Sequence, residues 1–556
     1  MNDWGELVSQ PKYELKLEED IVIKARDGTR LWADIYRPDA EGRFPALLSI
    51  SPYGKDTQKL PCPLRASDAY RGTGGHESGM EDYFVTRGYI NVKADVRGVG
   101  NSEGEYCHFG TKFAEDGYDI VEWIAKQPWC NGNVGMLGMS WWAVPQYLVA
   151  AQQPPHLKAI FPHDGHTDEY RQMAYHGGIF RLGFYHHIWR LIHTHMTRPM
   201  SEREFSKEEL AEKLKELKGN YAIQCYPYMW KLITHPEVNP LMLDLMLHPY
   251  DGPFWWERAA YTKYDKIKVP CYFLSRWSGW SGHLPGAIDG YLNVNVPKKL
   301  TISPGGFDRP WHENHDIVLR WYDHWLKGID TGIMDEPPIN ILVQGIDEWR
   351  YEQEWPLART KWTKFYLRRG GLLAETPETW NEGGGRYAHF VNVPYLDPGE
   401  EAPSVKFTTK PFAEDVEITG PMAFYFHASV STEYADWVVE IKDIGPDGRE
   451  TKVSGGWLKA SHRELDESKS KPYKPYHPHT RSLPVVPERV YEYAIDLCST
   501  SRVFKALHSL QLVIQGQESG WPPPAFYHVS NMIETTHTIY HTREYPSYLL
   551  LPVIPK

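Results

Sequence analysis

Residues 133–142 contain the clearest candidate for a reactive side chain in this sequence. A short apolar run, 134–137, predicts a buried strand, and it is followed by Gly138-Met-Ser140 and a helix-like segment. A serine at a sharp strand-to-helix turn has a strained backbone and an exposed hydroxyl, close to the backbone N–H groups that begin the helix. Such N–H groups can stabilise an oxyanion. The pattern therefore predicts a nucleophilic serine, and the alternative is an ordinary capping serine.

The turn around Ser140 is close to Gly-x-Ser-x-Gly, with Trp142 in place of the second glycine. This pattern is typical of α/β-hydrolases, in which an acid and then a histidine follow the serine along the chain. A serine hydroxyl is a poor nucleophile unless a histidine accepts its proton and a carboxylate orients that histidine. The residues after Ser140 must supply both groups.

Strands alternate with helical segments on both sides of Ser140. The predicted strands are 21–24, 31–36, 45–50, 88–94, 157–161, 269–274 and 299–303, and the predicted helices include 112–126, 141–152 and 316–327. This alternation predicts an α/β fold with a mostly parallel sheet and helices on both faces.

Two other regions have a different pattern. From about 168 to 260 the segments are helical and rich in aromatic residues and histidine, which is typical of a cap inserted over an active site. After Gly328, short alternating runs separated by turn residues predict an all-β sandwich, most simply a jelly roll, with a long loop at 464–487. The predicted domains are an α/β-hydrolase core in 1–165 and 263–335, a helical cap in 166–262 and a jelly roll in 336–556.

The composition argues against several classes of protein. A net charge of −12 disfavours nucleic acid as the main partner. The six cysteines form no C-x-x-C pair, and the seven histidines between residues 163 and 195 have no zinc-site spacing, so neither a metal nor a cofactor is predicted. The sequence begins without a secretory signal and has no apolar run long enough to span a membrane, which predicts a cytoplasmic protein.

Further motifs carry a resemblance to a known family. They are Ser51-Pro-Tyr-Gly-Lys55, Asp95-Val-Arg-Gly98 with Ser102-Glu-Gly-Glu105, Trp129-Cys-Asn-Gly-Asn-Val-Gly-Met136, Gly138-Met-Ser140, Asp168-Glu-Tyr-Arg171, Trp325-Leu-Lys-Gly328 and Gly345-Ile-Asp-Glu-Trp-Arg350. In this order they resemble the cocaine-esterase/X-prolyl dipeptidyl-peptidase group of serine hydrolases over nearly the whole chain. The resemblance implies an α/β-hydrolase domain with an inserted helical cap and a C-terminal jelly roll. It also implies acyl transfer to serine, followed by hydrolysis of the acyl-enzyme.

The same resemblance implies roles for three residues. Ser140 matches the nucleophile, and Tyr53 matches a tyrosine whose hydroxyl donates to the oxyanion. The backbone N–H of Trp141 would be the second donor. Loss of one such donor typically costs about 3 kcal/mol of transition-state stabilisation. Members of the family have a bulky residue two positions after the serine, so Trp142 is compatible with this role.

The general base is predicted in the loop after strand 299–303, where the family has its histidine. Direct counting along Ser303-Pro-Gly-Gly-Phe-Asp-Arg-Pro-Trp-His312 puts Phe307 at the histidine position. We predict His312 as the general base, with His315, a helical turn later, as the second choice. His283 is the third choice, because it lies in the loop that normally supplies the acid.

The acid is left open between two residues. The family has a Gly-Trp-x-Asp motif after strand 269–274, but here that stretch, 276–283, contains no carboxylate. Asp164 follows the strand after the elbow helix, a place where α/β-hydrolases can also carry an acid. Asp308 is close to His312 in sequence.

These observations predict a cap-gated serine hydrolase that cleaves small-molecule esters or amides. Trp189, Trp230, Trp255 and Trp256 of the cap would shape an apolar or aromatic acyl site. The alternatives are an X-prolyl dipeptidyl aminopeptidase, which needs carboxylates that bind a free amine, and an α-amino-acid ester hydrolase. An alternative of another class is a binding protein that keeps the fold without the chemistry. The expected partner is a small ester or amide or a short peptide, with no nucleic acid or membrane, and self-association through the sandwich is left open.

Overall fold

The computed structural model describes residues 4–59, 77–279, 282–304, 314–380, 387–393, 400–519, 527–529 and 533–556. The strands are β1 (Leu15–Lys24), β2 (Arg30–Pro38), β3 (Phe44–Ile50), β4 (Ile90–Ala94), β5 (Cys130–Met139), β6 (Leu157–His163), β7 (Tyr175–His176), β8 (Ile179–Phe180), β9 (Cys271–Arg276), β10 (Lys298–Ser303), β11 (Ile339–Val343), β12 (Glu348–Glu352), β13 (Lys361–Arg368), β14 (Leu372–Ala374), β15 (Tyr387–Asn392), β16 (Ser404–Thr409), β17 (Val416–Val430), β18 (Asp436–Ile444), β19 (Glu450–Lys459), β20 (Tyr491–Phe504), β21 (Ser509–Gln515), β22 (Thr535–Tyr540) and β23 (Tyr548–Ile554). The α-helices are α1 (Glu81–Val85), α2 (Thr111–Ala125), α3 (Val144–Ala151), α4 (Leu182–Ile188), α5 (Ser201–Glu204), α6 (Lys207–Gly219), α7 (Tyr221–Cys225), α8 (Pro227–Thr234), α9 (Pro240–Leu247), α10 (Pro253–Arg258), α11 (His283–Asn293) and α12 (His315–Lys327).

The first sheet has the strand order β1-β2-β4-β3-β5-β6-β9-β10-β11-β12. Neighbouring strands from β4 to β11 run parallel, while β1, β2 and β12 pair antiparallel at the two edges. β3 is buried on both faces, which explains its mainly apolar sequence. β4 is equally buried, although it contains Asn91 and Lys93, and Lys93 forms an ion pair with Glu81. The predicted α/β fold with a mostly parallel sheet is confirmed.

The boundary predicted at residue 336 differs from the structure. The run 339–343 was assigned to the sandwich from its alternating pattern, but β11 pairs in parallel with β10, with Leu300 opposite Ile339. β12 then pairs antiparallel with β11 and completes the first sheet. The alternation arises because β11 lies next to the edge of a sheet, where one position is only partly covered. The strands of the second sheet begin with β13.

The C-terminal region forms a second, mainly antiparallel β-sheet unit with its own core. Its strand order is β15-β22-β17-β23-β13-β14-β16-β21-β18-β19, and β20 pairs with β17. Phe424, Phe426 and Trp437 are fully buried in one apolar cluster from which the first sheet is absent. Such a separate core is expected of a β-sandwich.

Between β6 and β9 the chain forms a π-helical turn (Tyr170–Ala174), the short hairpin β7–β8 and helices α4–α10, and we call this stretch from Tyr170 to α10 the cap. The longest of these helices, α6, begins with a capping box, in which Ser206 accepts the Glu209 N–H and Glu209 accepts the Ser206 N–H. In the part of the chain that is described, no helix is long and apolar enough to cross a membrane.

The segment 464–487 forms the predicted loop, and it links the sandwich to the other two parts. Arg171 at the start of the cap donates to the carbonyl oxygens of His477 and Pro478, at 3.2 and 2.9 Å. Lys474 forms an ion pair with Asp289 on α11. The loop therefore contacts both the cap and the helix that begins at His283.

Candidate active site

Ser140 lies where β5 ends, at the first residue of a single 3₁₀ turn that leads into α3. Its φ of +57° is in the left-handed region, which residues other than glycine rarely adopt. Gly138 has a φ of +151°, and a Cβ there would lie 2.4 Å from the Cβ of Trp142. The sequence therefore folds into the strained strand–turn–helix that presents a serine hydroxyl.

The imidazole that lies within hydrogen-bond distance of the Ser140 hydroxyl is that of His283. The Oγ of Ser140 and the Nε2 of His283 are 3.1 Å apart, within hydrogen-bond distance. His283 is the first residue of α11 and follows the loop after β9. The third-choice histidine is thus the one that the described residues bring to the serine.

Asp164 directly follows β6, is fully buried, and lies close enough to His283 for each group to shift the pKa of the other. The Ser275 hydroxyl donates to its Oδ1 at 2.8 Å, and the Arg276 Nη2 lies 3.0 Å from its Oδ2. The backbone of Asp164 has a φ of +52°, a conformation that aspartate tolerates better than most residues. Of the two carboxylates proposed from the sequence, the structure places Asp164 near His283.

The charges in this group are set by burial and by close neighbours. Burial raises the pKa of Asp164, but Arg276, His163 and His283 outweigh it and lower the pKa to about 2. Burial lowers the pKa of His283 to about 3, although Asp164 acts in the opposite direction. At neutral pH the carboxyl is therefore ionised and the imidazole is neutral, the form that accepts a proton.

The three side chains come from neighbouring strands. β5, β6 and β9 lie side by side in the sheet, and Ser140, Asp164 and His283 follow their carboxyl ends. Because parallel strands end at the same edge of a sheet, residues far apart in sequence meet there. A serine hydroxyl, a neutral imidazole and an ionised carboxylate in this order are the groups that activate a serine for acyl transfer.

Tyr53 lies beside the candidate nucleophile. It follows β3, the neighbour of β5, and its ring centroid is 5.9 Å from that of Trp141. Trp141 is fully buried and also contacts Phe109 and Phe184, with ring centroids 5.3 and 5.5 Å away. These aromatic rings belong to, or pack against, the large apolar core, which includes the residue after Ser140.

The remaining candidate histidine, His315, has different contacts. Its Nε2 accepts the Met80 N–H at 3.3 Å, and its ring packs against those of Tyr83 and Phe84. His312 and Asp308 lie outside the described residues, so their proposed roles stay predictions.

The four tryptophans predicted to shape the acyl site differ in their exposure and in their contacts. Trp230 and Trp256 are 40% and 43% exposed. Trp255 is buried and donates its indole N–H to the His248 carbonyl at 2.9 Å, and Trp189 packs against the large core. Trp141, directly after Ser140, packs instead against Phe184 of α4, a contact that the sequence did not suggest.

A buried carboxylate, Glu169, organises part of the histidine-rich region behind Trp141. His108 Nε2 lies 3.0 Å from Glu169, the Tyr185 hydroxyl donates to it at 2.7 Å, and His166 is a third partner. The His108 ring is 5.4 Å from that of Trp141. Among the described residues, no group of three or more His, Cys, Asp or Glu side chains could hold a metal ion.

Two family models together match most of the chain. Residues 27–307 match the X-Pro dipeptidyl-peptidase (S15 family) model, and residues 331–550 match the X-Pro dipeptidyl-peptidase C-terminal non-catalytic domain. A similar curated protein is the cocaine esterase of Rhodococcus sp. (strain MB1 Bresler). It is 27% identical over 97% of this chain and 98% of its own length.

Solved structures with a similar fold span nearly the whole chain. A CocE/NonD family hydrolase from Staphylococcus aureus matches with a TM-score of 0.81 and 26% identity, over 98% of this chain and 94% of that one. An α-amino acid ester hydrolase has the same fold, with a TM-score of 0.73 and 21% identity over 97% of both chains. The chain therefore belongs to the X-Pro dipeptidyl-peptidase (S15) family of serine hydrolases.

Proposed function

We propose that the protein hydrolyses small-molecule esters or amides through an acyl-enzyme on Ser140, with His283 as the general base and Asp164 as the acid. The 3.1 Å contact between Ser140 Oγ and His283 Nε2 is the observation that carries this proposal. The neutral state of His283 and the ionised state of Asp164 support it. His283 thus takes the role that the sequence first suggested for His312.

In the proposed reaction, His283 removes the hydroxyl proton while Ser140 Oγ attacks the carbonyl carbon of the substrate. Asp164 stabilises the imidazolium that forms, and the imidazolium then gives its proton to the leaving alcohol or amine. A water molecule, activated by the same imidazole, releases the acid from the acyl-enzyme. The Tyr53 hydroxyl and the Trp141 backbone N–H are the proposed oxyanion donors.

The surroundings of Ser140 support an apolar or aromatic acyl group. Trp141, which follows Ser140, packs edge-on against Phe109 and Phe184, and we propose that these rings form an aromatic wall behind the acyl site. Phe184 belongs to α4, so the cap contributes to this wall. We propose that movement of the cap controls entry of the substrate.

The charges near Ser140 favour an ester without a free amine over an X-prolyl dipeptide. A free amine needs an available carboxylate, but Glu169 already accepts from His108, His166 and Tyr185. Asp168, the preceding residue, is paired with Arg171 at 3.0 Å. These two acids are therefore committed to groups of the protein itself.

Labelling with a fluorophosphonate tests the proposed function. We expect one adduct per chain, located by peptide mass spectrometry on Ser140, and parallel turnover of p-nitrophenyl acetate and butyrate. Alanyl-proline p-nitroanilide is expected to be a poorer substrate than either ester. An absence of both labelling and ester turnover would instead support the binding-protein alternative. Faster turnover of the anilide would support the aminopeptidase.

The pH dependence of ester hydrolysis is expected to be shifted towards acid. An unperturbed histidine titrates near pH 6.5, but burial lowers the pKa of His283 to about 3. Since the neutral imidazole is the active form, kcat/KM for a neutral ester should change less than about twofold between pH 7 and 5. Brief assays in a constant-ionic-strength buffer series measure this. A loss of activity centred near pH 6.5 would contradict the shift.

A further inference from the structure

A cavity lies between the cap and the sandwich. It has a volume of about 370 Å³, and neither Ser140, Asp164, His283 nor Tyr53 lines it. One wall comes from the hairpin β7–β8 and from helices of the cap, and the opposite wall includes Ala435 and Ser461 of the sandwich. Cavities of this size at domain interfaces are typical of small-molecule sites.

The cap side of this cavity is mainly apolar. Ile179 and Phe180 of the hairpin line it together with Met229, Met246 and Leu247. All five are buried, none more than 7% exposed. The two methionines are notable because their flexible, polarizable side chains adapt to irregular apolar shapes.

The charged side chains around the cavity balance one another. Two lysines and two acids line it, namely Lys213, Lys459, Glu216 and Asp436. Lys459 Nζ lies 3.0 Å from Asp436, so this pair is already neutralised within the protein. Burial lowers the pKa of His462, which also lines the cavity, to about 3, so its imidazole adds no charge at neutral pH.

Several polar groups on the two walls already have partners within the protein. The hydroxyls of Tyr250 and Ser482 are 3.0 Å apart, and His462 Nδ1 lies 3.0 Å from His479 Nδ1. An ion entering the cavity would lose its hydration, and the lining charges, two of each sign, offer it no net attraction. An apolar molecule would instead be stabilised by removing its own apolar surface, and that of the cavity wall, from water.

We propose that this cavity is a binding site for an uncharged, mainly apolar small molecule, separate from the site at Ser140. The ligand would lie with its apolar body against the hairpin β7–β8 and the two methionines. This proposal is independent of the proposed catalytic role of Ser140, because it depends on a different set of side chains.

The fluorescent probe N-phenyl-1-naphthylamine, which is uncharged at neutral pH, tests the site in the full-length protein. Ala222 lines the cavity from α7, and Ala222→Trp would fill part of it. Ala211 on α6 is exposed and does not line the cavity, so Ala211→Trp is the matched control. We expect saturable binding that Ala222→Trp weakens at least about tenfold and Ala211→Trp leaves unchanged.

A second variant, Ser461→Trp, fills the cavity from the opposite wall and should weaken binding in the same way. A thermal melt of each variant shows whether it is folded. The anionic analogue 8-anilinonaphthalene-1-sulfonate should bind more weakly than the uncharged probe. Equal affinities for Ala222→Trp and Ala211→Trp, or preferred binding of the anion, would overturn the proposal.

Discussion

Replacement of Ser140 by alanine is expected to lower kcat for ester hydrolysis by about 10⁴-fold or more. The change removes the hydroxyl that lies 3.1 Å from His283 Nε2, and loss of a catalytic serine generally removes most of the rate enhancement. The remaining activity would come from substrate binding and oxyanion stabilisation. Steady-state kinetics with p-nitrophenyl acetate and fluorophosphonate labelling measure the effect, and labelling should disappear.

The control for this change is Ser468→Ala, at an exposed serine of the loop 464–487. It should retain wild-type kcat and labelling. The melting temperatures of both variants should stay close to that of the wild-type protein, because each change removes one hydroxyl without creating a large cavity. If Ser140→Ala kept more than about a hundredth of the activity, a covalent role for Ser140 would be wrong.

Replacement of His283 by alanine is expected to lower kcat/KM by about 10⁴-fold. Without a neutral imidazole at Ser140 Oγ, the hydroxyl has no base in the proposed site. His315→Ala should change kcat/KM by less than about fivefold, because His315 accepts the Met80 N–H and packs on Tyr83 and Phe84.

The variant His312→Ala separates the structural proposal from the prediction made from the sequence. If His283 is the base, His312→Ala should retain near wild-type kcat/KM, provided that the variant is folded. Strong loss in His312→Ala together with full activity in His283→Ala would restore His312 as the base. Circular dichroism of each variant distinguishes a catalytic effect from unfolding.

Local sequence patterns predicted the elements that hold the site. β3 is a mainly apolar run because both of its faces are covered, and α6 begins at its capping box. The turn at Ser140 was predictable because glycine is needed where a Cβ would meet Trp142. Each of these features depends on residues close together in the chain.

The partners of Ser140 could not be predicted in the same way. Asp164 and His283 are 119 positions apart, and they meet only because β6 and β9 are neighbours in the sheet. The family pattern placed the acid after β9 and the histidine after β10, whereas this structure has the histidine after β9 and a carboxylate after β6. The chain order of serine, acid and histidine is kept, and this order was the available signal for the pair.

The contact between Lys474 and Asp289 ties the sandwich to the helix that begins with His283. Arg171, held by the carbonyl oxygens of His477 and Pro478, ties the same loop to the cap. The position of the helix that begins with His283 therefore depends on a contact from outside the hydrolase core as well as on the core itself. Removal of the sandwich together with the loop 464–487 would remove these contacts, so the C-terminal unit is part of the mechanical support of the catalytic region.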